Sequence, residues 1–189
     1  RIVSLTVTEG GYFLDPATKR FDPSHFDIQY DLGHPGTPRT AFGAITAALK
    51  LRRDQGIGPF TCQSCDNLPG NGAILREVVV GLASQADPDL AGWIDASVSF
   101  PNSMVDCIVP ATGPHELQLA REFGIEDAAP VTHENYRQWV IEDDFVGKRP
   151  GWEIGGAQFT KDVVPFETAK LRMLNGAHSA LAYIGLQRG

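Results

Sequence analysis

Residues 2 to 8, IVSLTVT, alternate apolar with hydroxylated positions and are rich in β-branched side chains. That pattern predicts a strand, because successive side chains of an extended chain face opposite sides. Glu9, Gly10 and Gly11 break it into a loop. Residues 14 to 38 crowd Asp, Pro, Gly and His without a period, which predicts a long connection of the kind that often carries function. Residues 39 to 55 place Phe42, Ile45, Leu49 and Leu51 near the helical period, with Gly56 just beyond, and predict a helix ending there. A short strand over residues 60 to 65, a helix over 73 to 86 and strands over 96 to 100 and 104 to 109 follow. Strands alternating with helices argue for an α/β fold with a parallel sheet.

From 131 to 159 the pattern is mixed. Residues 139 to 141 are strand-like, and the turn-rich stretch from 148 to 156 suits a join between two domains. The last segment reads as one unbroken helix from Pro165 to Gly189, with proline in its first turn and Glu167 near its N-terminus. On a projection of roughly 100° per residue with Lys170 at zero, Glu167 falls at roughly 60°, His178 at roughly 80° and Asn175 at roughly 140°. Leu174, Ala177, Leu181 and Ile184 lie within roughly 40° of the lysine, so it emerges from an apolar stripe expected to face the core. Burial disfavours an ammonium, and a desolvated lysine is a usable general base near neutral pH. A carboxamide beside it can donate to a developing alkoxide, and a histidine one turn away can bond the same oxygen. Taken singly, such residues are more often core polar groups or snorkelling side chains; the set together carries the chemistry.

Composition narrows the classes. A chain of 189 residues, 42% hydrophobic and 21% charged, is long enough for a sizeable core. The net charge of −7 argues against nucleic acid, which basic surfaces bind, and favours a small-molecule partner. No apolar run reaches the roughly 18 to 20 residues of a membrane span, and the opening residues lack the pattern of a secretory signal. Neither membrane anchoring nor export is expected. Three cysteines, an odd number, fit a reducing cytoplasmic setting better than a disulfide framework.

Cys62-Gln63-Ser64-Cys65 is a C-x-x-C, but it falls inside a predicted strand rather than at a helix N-terminus and reads as two small core cysteines. With His25, His34, His115 and His133 scattered, no second ligand pair stands at zinc spacing, and no metal is expected. Trp93, Trp139 and Trp152 read as core or interface, and Glu142, Asp143 and Asp144 as a solvated turn.

The run KLRMLNGAH, a Lys-x4-Asn-x2-His pattern, resembles the mannitol dehydrogenase and fructuronate reductase family of polyol-specific long-chain dehydrogenases. VTEGGY, PRTAFGAI, SCDNLPGNG, WVIEDDF and RPGWE stand in that family's order and spacing, so the resemblance covers nearly the whole chain. It implies the later part of a Rossmann-like dinucleotide-binding domain over 1 to 150, leading into the start of a mostly helical substrate domain over 151 to 189. It further implies oxidation of a secondary alcohol of a polyol or sugar acid with NAD or NADP, NAD being favoured, and no metal. Carried over, Lys170 is the base, Asn67 and Asn175 are oxyanion donors and His178 orients the substrate oxygen. Asp106, Glu167 and Glu9 would line the pocket, Glu9 as an exit for the proton.

Two departures stand out. Where the family usually reads Val-Asp-Arg-Ile, this chain reads Val105-Asp106-Cys107-Ile108, which removes a cation beside the pocket aspartate. The glycine-rich phosphate fingerprint is absent, and Gly70-Asn71-Gly72 follows the wrong strand to replace it. Both ends interrupt elements, so the chain is expected to be a central fragment, poor in dinucleotide binding and in turnover. The competing expectation is a non-catalytic binding or structural module derived from such an enzyme.

Overall fold

Strand β1 (Ile2–Leu5) runs parallel to β2 (Thr61–Ser64), with Ile2 opposite Thr61 and Leu5 opposite Ser64, in a computed structural model that describes residues 1–188. All four residues of β2 are buried. Between these strands lie a 3-10 turn (Glu9–Tyr12), helix α1 (Phe26–Gly33) and helix α2 (Ala41–Asp54). Helix α3 (Asn71–Ala86) packs against α2, β2 and α4 (Pro88–Ser97). Tyr12, Ile28, Phe42, Leu49, Leu75 and Ile94 form the fully buried centre of this half. Each such side chain is worth about 1.5–3 kcal/mol of burial.

Local chemistry sets the helix starts. Thr40 Oγ1 accepts from Gly43 N at 2.9 Å, capping α2, while the Thr40 hydroxyl donates to the buried Asp31 carboxylate at 2.6 Å. Asp31 also accepts from Arg39 N and Thr40 N, so the preceding loop is pinned from inside. Asp87 Oδ1 accepts from Leu90 N at 2.9 Å and Pro88 occupies the first turn of α4.

A second sheet holds β3 (Ser103–Asp106), β4 (Gln138–Glu142) and β5 (Gln158–Thr160), with β4 in the middle. β3 pairs antiparallel with β4, and β4 parallel with β5. The sheet is therefore mixed, not parallel throughout as the alternation of elements suggested. Met104, Val140 and Val163 form its small core, while α5 (Pro114–Glu122) lies on the surface with no buried residue.

Asn71 joins the halves. Its Nδ2 donates to Asp66 O at 2.9 Å and Ser103 O at 2.8 Å, and its Oδ1 accepts from Ser103 N at 2.9 Å. The Ser103 hydroxyl donates to Ser64 O at 2.7 Å. At Gly72 a Cβ would lie 2.4 Å from Phe100 O and 2.5 Å from Pro101 O, so glycine allows α3 to meet the chain leading into β3.

Several expectations are corrected. Residues 96 to 100 are not a strand: α4 runs to Ser97, after which Ser99 O accepts from Cys62 N at 3.0 Å. The connection from 14 to 38 contains α1, and α5 and β5 were not anticipated. The last segment is not one α-helix. Helix α6 (Val164–Ala169) passes into a π-helical turn (Lys170–Asn175) and then α7 (Gly176–Arg188). Nor does its apolar stripe face the core: α7 has no buried residue, and Leu181 is 68% exposed. Among the described residues, no helix is long and apolar enough to cross a membrane.

Candidate active site

The last strand-to-turn step of the first half begins with Asp66. Its carboxylate, 3% exposed, accepts from Val7 N at 3.1 Å, Thr8 N at 2.8 Å and Tyr12 Oη at 2.7 Å, so the turn after β1 is fastened to the end of β2. Burial foremost raises the Tyr12 hydroxyl far above the ordinary phenol range, and the Asp66 hydrogen bond and charge add to this against an opposing bond from Ser64. Tyr12 is therefore a dependable donor. The next residue, Asn67, is left exposed at the edge of an open cleft.

Lys170, the first residue of the π turn, reaches this edge. Its Nζ donates to Asn67 Oδ1 at 2.8 Å and to Val105 O at 2.6 Å, and Asp106 Oδ1 lies 3.9 Å away. The Lys170 and Asp106 side chains are 10% and 9% exposed. The amine is shielded, then, by the end of β3 and the Asn67 turn, not by the apolar stripe of its own helix. Single π turns inside α-helices are frequent at functional sites.

The cleft has a volume of about 1050 Å³, and Asn67, Asp106, Lys170, Asn175 and His178 all line it. A smaller recess of about 310 Å³ adjoins it, lined by Glu9 and Glu167 together with Asn67, Lys170 and Asn175. All seven residues singled out in the sequence thus border one of two hollows, and three of them border both. Glu167 has a second engagement: its Oε1 accepts from Gly70 N at 3.1 Å, tying α6 to the start of α3.

Other parts of the wall carried no chemical assignment in the sequence. The Val105 carbonyl is invisible to any reading by side-chain type. Trp139 and Trp152, with ring centroids 5.1 Å apart, and Arg137 also line the larger cleft, as does the glycine-bearing turn around Ile154. WVIEDDF and RPGWE were noted as motifs, but nothing in their spacing showed that they fold against the lysine. Cys107 lies exposed on the same wall, its Sγ 3.6 Å from His133 Nδ1. Of the C-x-x-C pair, Cys62 is buried and Cys65 half-buried: burial raises the Cys62 thiol to about 12 and raises Cys65 as well. Among the described residues, no group of three His, Cys, Asp or Glu side chains is placed to hold a metal ion.

Asn67 Oδ1 and Val105 O engage two of the donor positions on Nζ, which leaves one position on the nitrogen without a hydrogen-bond partner among the described residues. The same contact turns Asn67 Oδ1 toward the amine and leaves its NH2 to donate elsewhere.

Comparison with known proteins places this geometry. The mannitol dehydrogenase Rossmann domain family matches residues 2–154. Mannitol 2-dehydrogenase of Cereibacter sphaeroides is 60% identical over 183 residues, covering 97% of this chain and 38% of that protein. D-mannonate oxidoreductase of Escherichia coli (strain K12) is 52% identical over 189 residues, covering 100% of this chain and 39% of that protein. The structure of Pseudomonas fluorescens mannitol 2-dehydrogenase in ternary complex with NAD and D-mannitol superposes with a TM-score of 0.88 at 52% identity, over 98% of this chain and 38% of that one. The chain spans about two fifths of the length of these relatives.

Proposed function

The chain belongs to the mannitol dehydrogenase family, and from that premise we propose that it is the central part of a longer NAD(P)-dependent dehydrogenase. The reaction is the reversible oxidation of a secondary alcohol of an acyclic polyol or sugar acid to a ketone. In this reading residues 1 to 150 complete the dinucleotide-binding domain and residues 151 to 189 begin a helical substrate domain. The observation that carries it is the Lys170 amine held at 2.8 and 2.6 Å by two acceptors at the edge of a substrate-sized cleft.

Lys170 is the general base. As the carbinol carbon gives up hydride, the hydroxyl proton passes to the Nζ lone pair, and the Asn67 and Asn175 amides donate to the oxygen as negative charge builds on it. His178 orients that oxygen or its neighbour. Asp106, beside the ammonium so formed, stabilises it, and Glu9 and Glu167 in the adjoining recess give the proton a way out.

A nicotinamide cofactor, NAD by analogy with the Pseudomonas relative, supplies the hydride acceptor. The residues present suit its reacting end but not its diphosphate. The chain carries no Gly-x-Gly-x-x-Gly, and the Gly70 N–H at the head of α3 is already engaged by Glu167. The 189-residue chain alone is therefore expected to turn over little or nothing.

The test uses the full-length protein and polyol-dependent NADH absorbance. Lys170→Ala should lower kcat by roughly 10²–10⁴-fold, the usual worth of a positioned base, and methylamine should restore part of the rate in proportion to its concentration. Asn67→Ala and Asn175→Ala should each cost about 2.7–4 kcal/mol at the transition state with cofactor affinity retained. Unaltered turnover in Lys170→Ala would remove the assignment.

A further inference from the structure

The two acceptors that hold the Lys170 amine come from different parts of the chain. Asn67 belongs to the turn after β2, whereas Val105 belongs to β3 of the second sheet. In that sheet β3 is an edge strand, flanked only by β4. Alternate residues of an extended strand turn their backbone groups to the same edge. On the edge that β4 leaves uncovered, Val105 O accepts from Lys170, and the Ser103 N and O both bond Asn71.

Asn71 opens α3 in the run Gly70-Asn71-Gly72, which has no role as a phosphate loop. Its side chain is fully buried, and both ends of its carboxamide are engaged. Nδ2 donates to Asp66 O, the residue before Asn67, and to Ser103 O, two residues before Val105. Oδ1 accepts from Ser103 N. One rigid, planar group, carrying donor and acceptor at a fixed separation, therefore bridges the two segments that supply the acceptors. Its neighbour brings in the third segment of the site, because Gly70 N donates to Glu167 Oε1, one helical turn before Lys170. The Asn67 turn, the end of β3 and the approach to Lys170 are all fastened to one dipeptide.

We propose that Asn71 is a positioning residue: it fixes the spacing of Asn67 Oδ1 and Val105 O, and through them the place of the Lys170 amine in the cleft. This rests on the dehydrogenase reading above, which gives that amine its task. Asn71 itself lines neither hollow, so it reaches the chemistry only through its neighbours. The demand on it is geometric. A hydrogen bond tolerates only a narrow range of distance, and a reacting group misplaced by about 1 Å can cost roughly 10²-fold in rate.

Two measurements on the full-length protein test this, and one does not depend on turnover. The first is reductive methylation by formaldehyde and dimethylamine-borane, read by mass spectrometry with exposed Lys161 as the internal reference. Lys170, whose side chain is 10% exposed, should react slowly in the parent and several-fold faster in Asn71→Ala. The second is a double-mutant cycle on D-mannitol oxidation by NAD. Asn71→Ala should lower kcat by roughly 10–10²-fold with KM and NAD affinity nearly retained. On the Lys170→Ala background the same substitution should cost less, because the amine it acts through is already gone. Asn71→Ser, whose short hydroxyl can bond one segment but not bridge both, should show the same pattern more weakly and serves if the alanine variant does not fold. Thr40→Ala, which removes the cap of α2, should lower Tm and leave both measurements unmoved. Unchanged Lys170 labelling in Asn71→Ala and Asn71→Ser, or equal kcat losses on the two backgrounds, would overturn the proposal. Labelling that rises as expected beside a Lys170→Ala protein of undiminished turnover would refute the base assignment and leave the positioning role standing.

Discussion

Replacing Asp66 with alanine should be among the most damaging single changes outside the apolar core. The carboxylate is 3% exposed and accepts four hydrogen bonds, at 3.1, 2.8, 2.7 and 3.4 Å. Bonds to an ionised acceptor are worth about 1.5–3 kcal/mol each, and an orphaned buried donor costs about 1–3 kcal/mol. The donors do not lose equally. Tyr12 Oη keeps Ser64 Oγ at 2.6 Å, and Thr8 is exposed enough for its N–H to find water, so Val7 N bears most of the desolvation. A loss of about 2–4 kcal/mol follows, or roughly 5–15 °C in Tm for a domain of this size. Thermal unfolding followed by circular dichroism measures it directly. Asp66→Asn, which retains one acceptor oxygen but turns an amide toward a backbone donor, should lose less than Asp66→Ala. A Tm drop of under about 2 °C in Asp66→Ala would refute the claim that this carboxylate holds the turn after β1, and with it the account of how Asn67 is presented to Lys170.

Gly72→Ala brings a Cβ against two backbone carbonyl oxygens, neither at the free end of a flexible side chain, and should destabilise by about 1–3 kcal/mol; wild-type stability would mean that α3 and the approach to β3 are not in close contact. In the native protein at pH 8 a thiol reagent should modify Cys107 quickly and half-buried Cys65 more slowly, while Cys62, raised to about 12, reacts only on unfolding; three equal rates would contradict the burial described. The Asp87 carboxyl is held below its ordinary value first by the Arg53 hydrogen bond and then by Leu90 N–H. Its contribution should be complete above the unfolded value of about 3.9 and should disappear as pH falls through the lower folded value. Asp87→Asn, which keeps the capping oxygen, should flatten that part of the acid-unfolding curve, and an unchanged curve would deny the pairing.

Much of this was legible in the chain, for definable reasons. Helix α2 announced itself through Phe42, Ile45 and Leu49 because one face of it is buried, and β2 through its position between breakers. Helix α1 was hidden because its two turns bury only Ile28 and Asp31, too few positions to show a period. Helix α5 was hidden because it buries nothing, and hydrophobic spacing reports packing, not helicity. At α4 the cap and proline were present in Asp87 and Pro88, but the β-favouring run at 98 to 100 outweighed them. The antiparallel course of β3 and β4 depends on a long intervening connection whose direction no local residue records.

For the site, side-chain identity singled out Lys170, Asn175 and His178 because their chemistry is unusual on one segment, while Asn67 came only from the family resemblance. It missed the Val105 carbonyl, since a backbone oxygen has no letter of its own, and it ascribed the lysine's shelter to the wrong neighbours. The stripe of Leu181 and Ile184 is apolar in sequence yet faces outward from the residues described.

The wide turn at Lys170–Asn175 acts as a one-residue insertion in an otherwise regular coil. Everything after Gly176 is consequently rotated by roughly 100° against everything before Lys170, the advance of a single residue. Glu167 and His178 belong to different angular frames, the first holding the head of α3 and the second lining the cleft. Straightening that turn into regular α-helix without removing a residue would turn His178 by roughly 100° relative to Glu167 and throw the two ends of the proposed set out of phase.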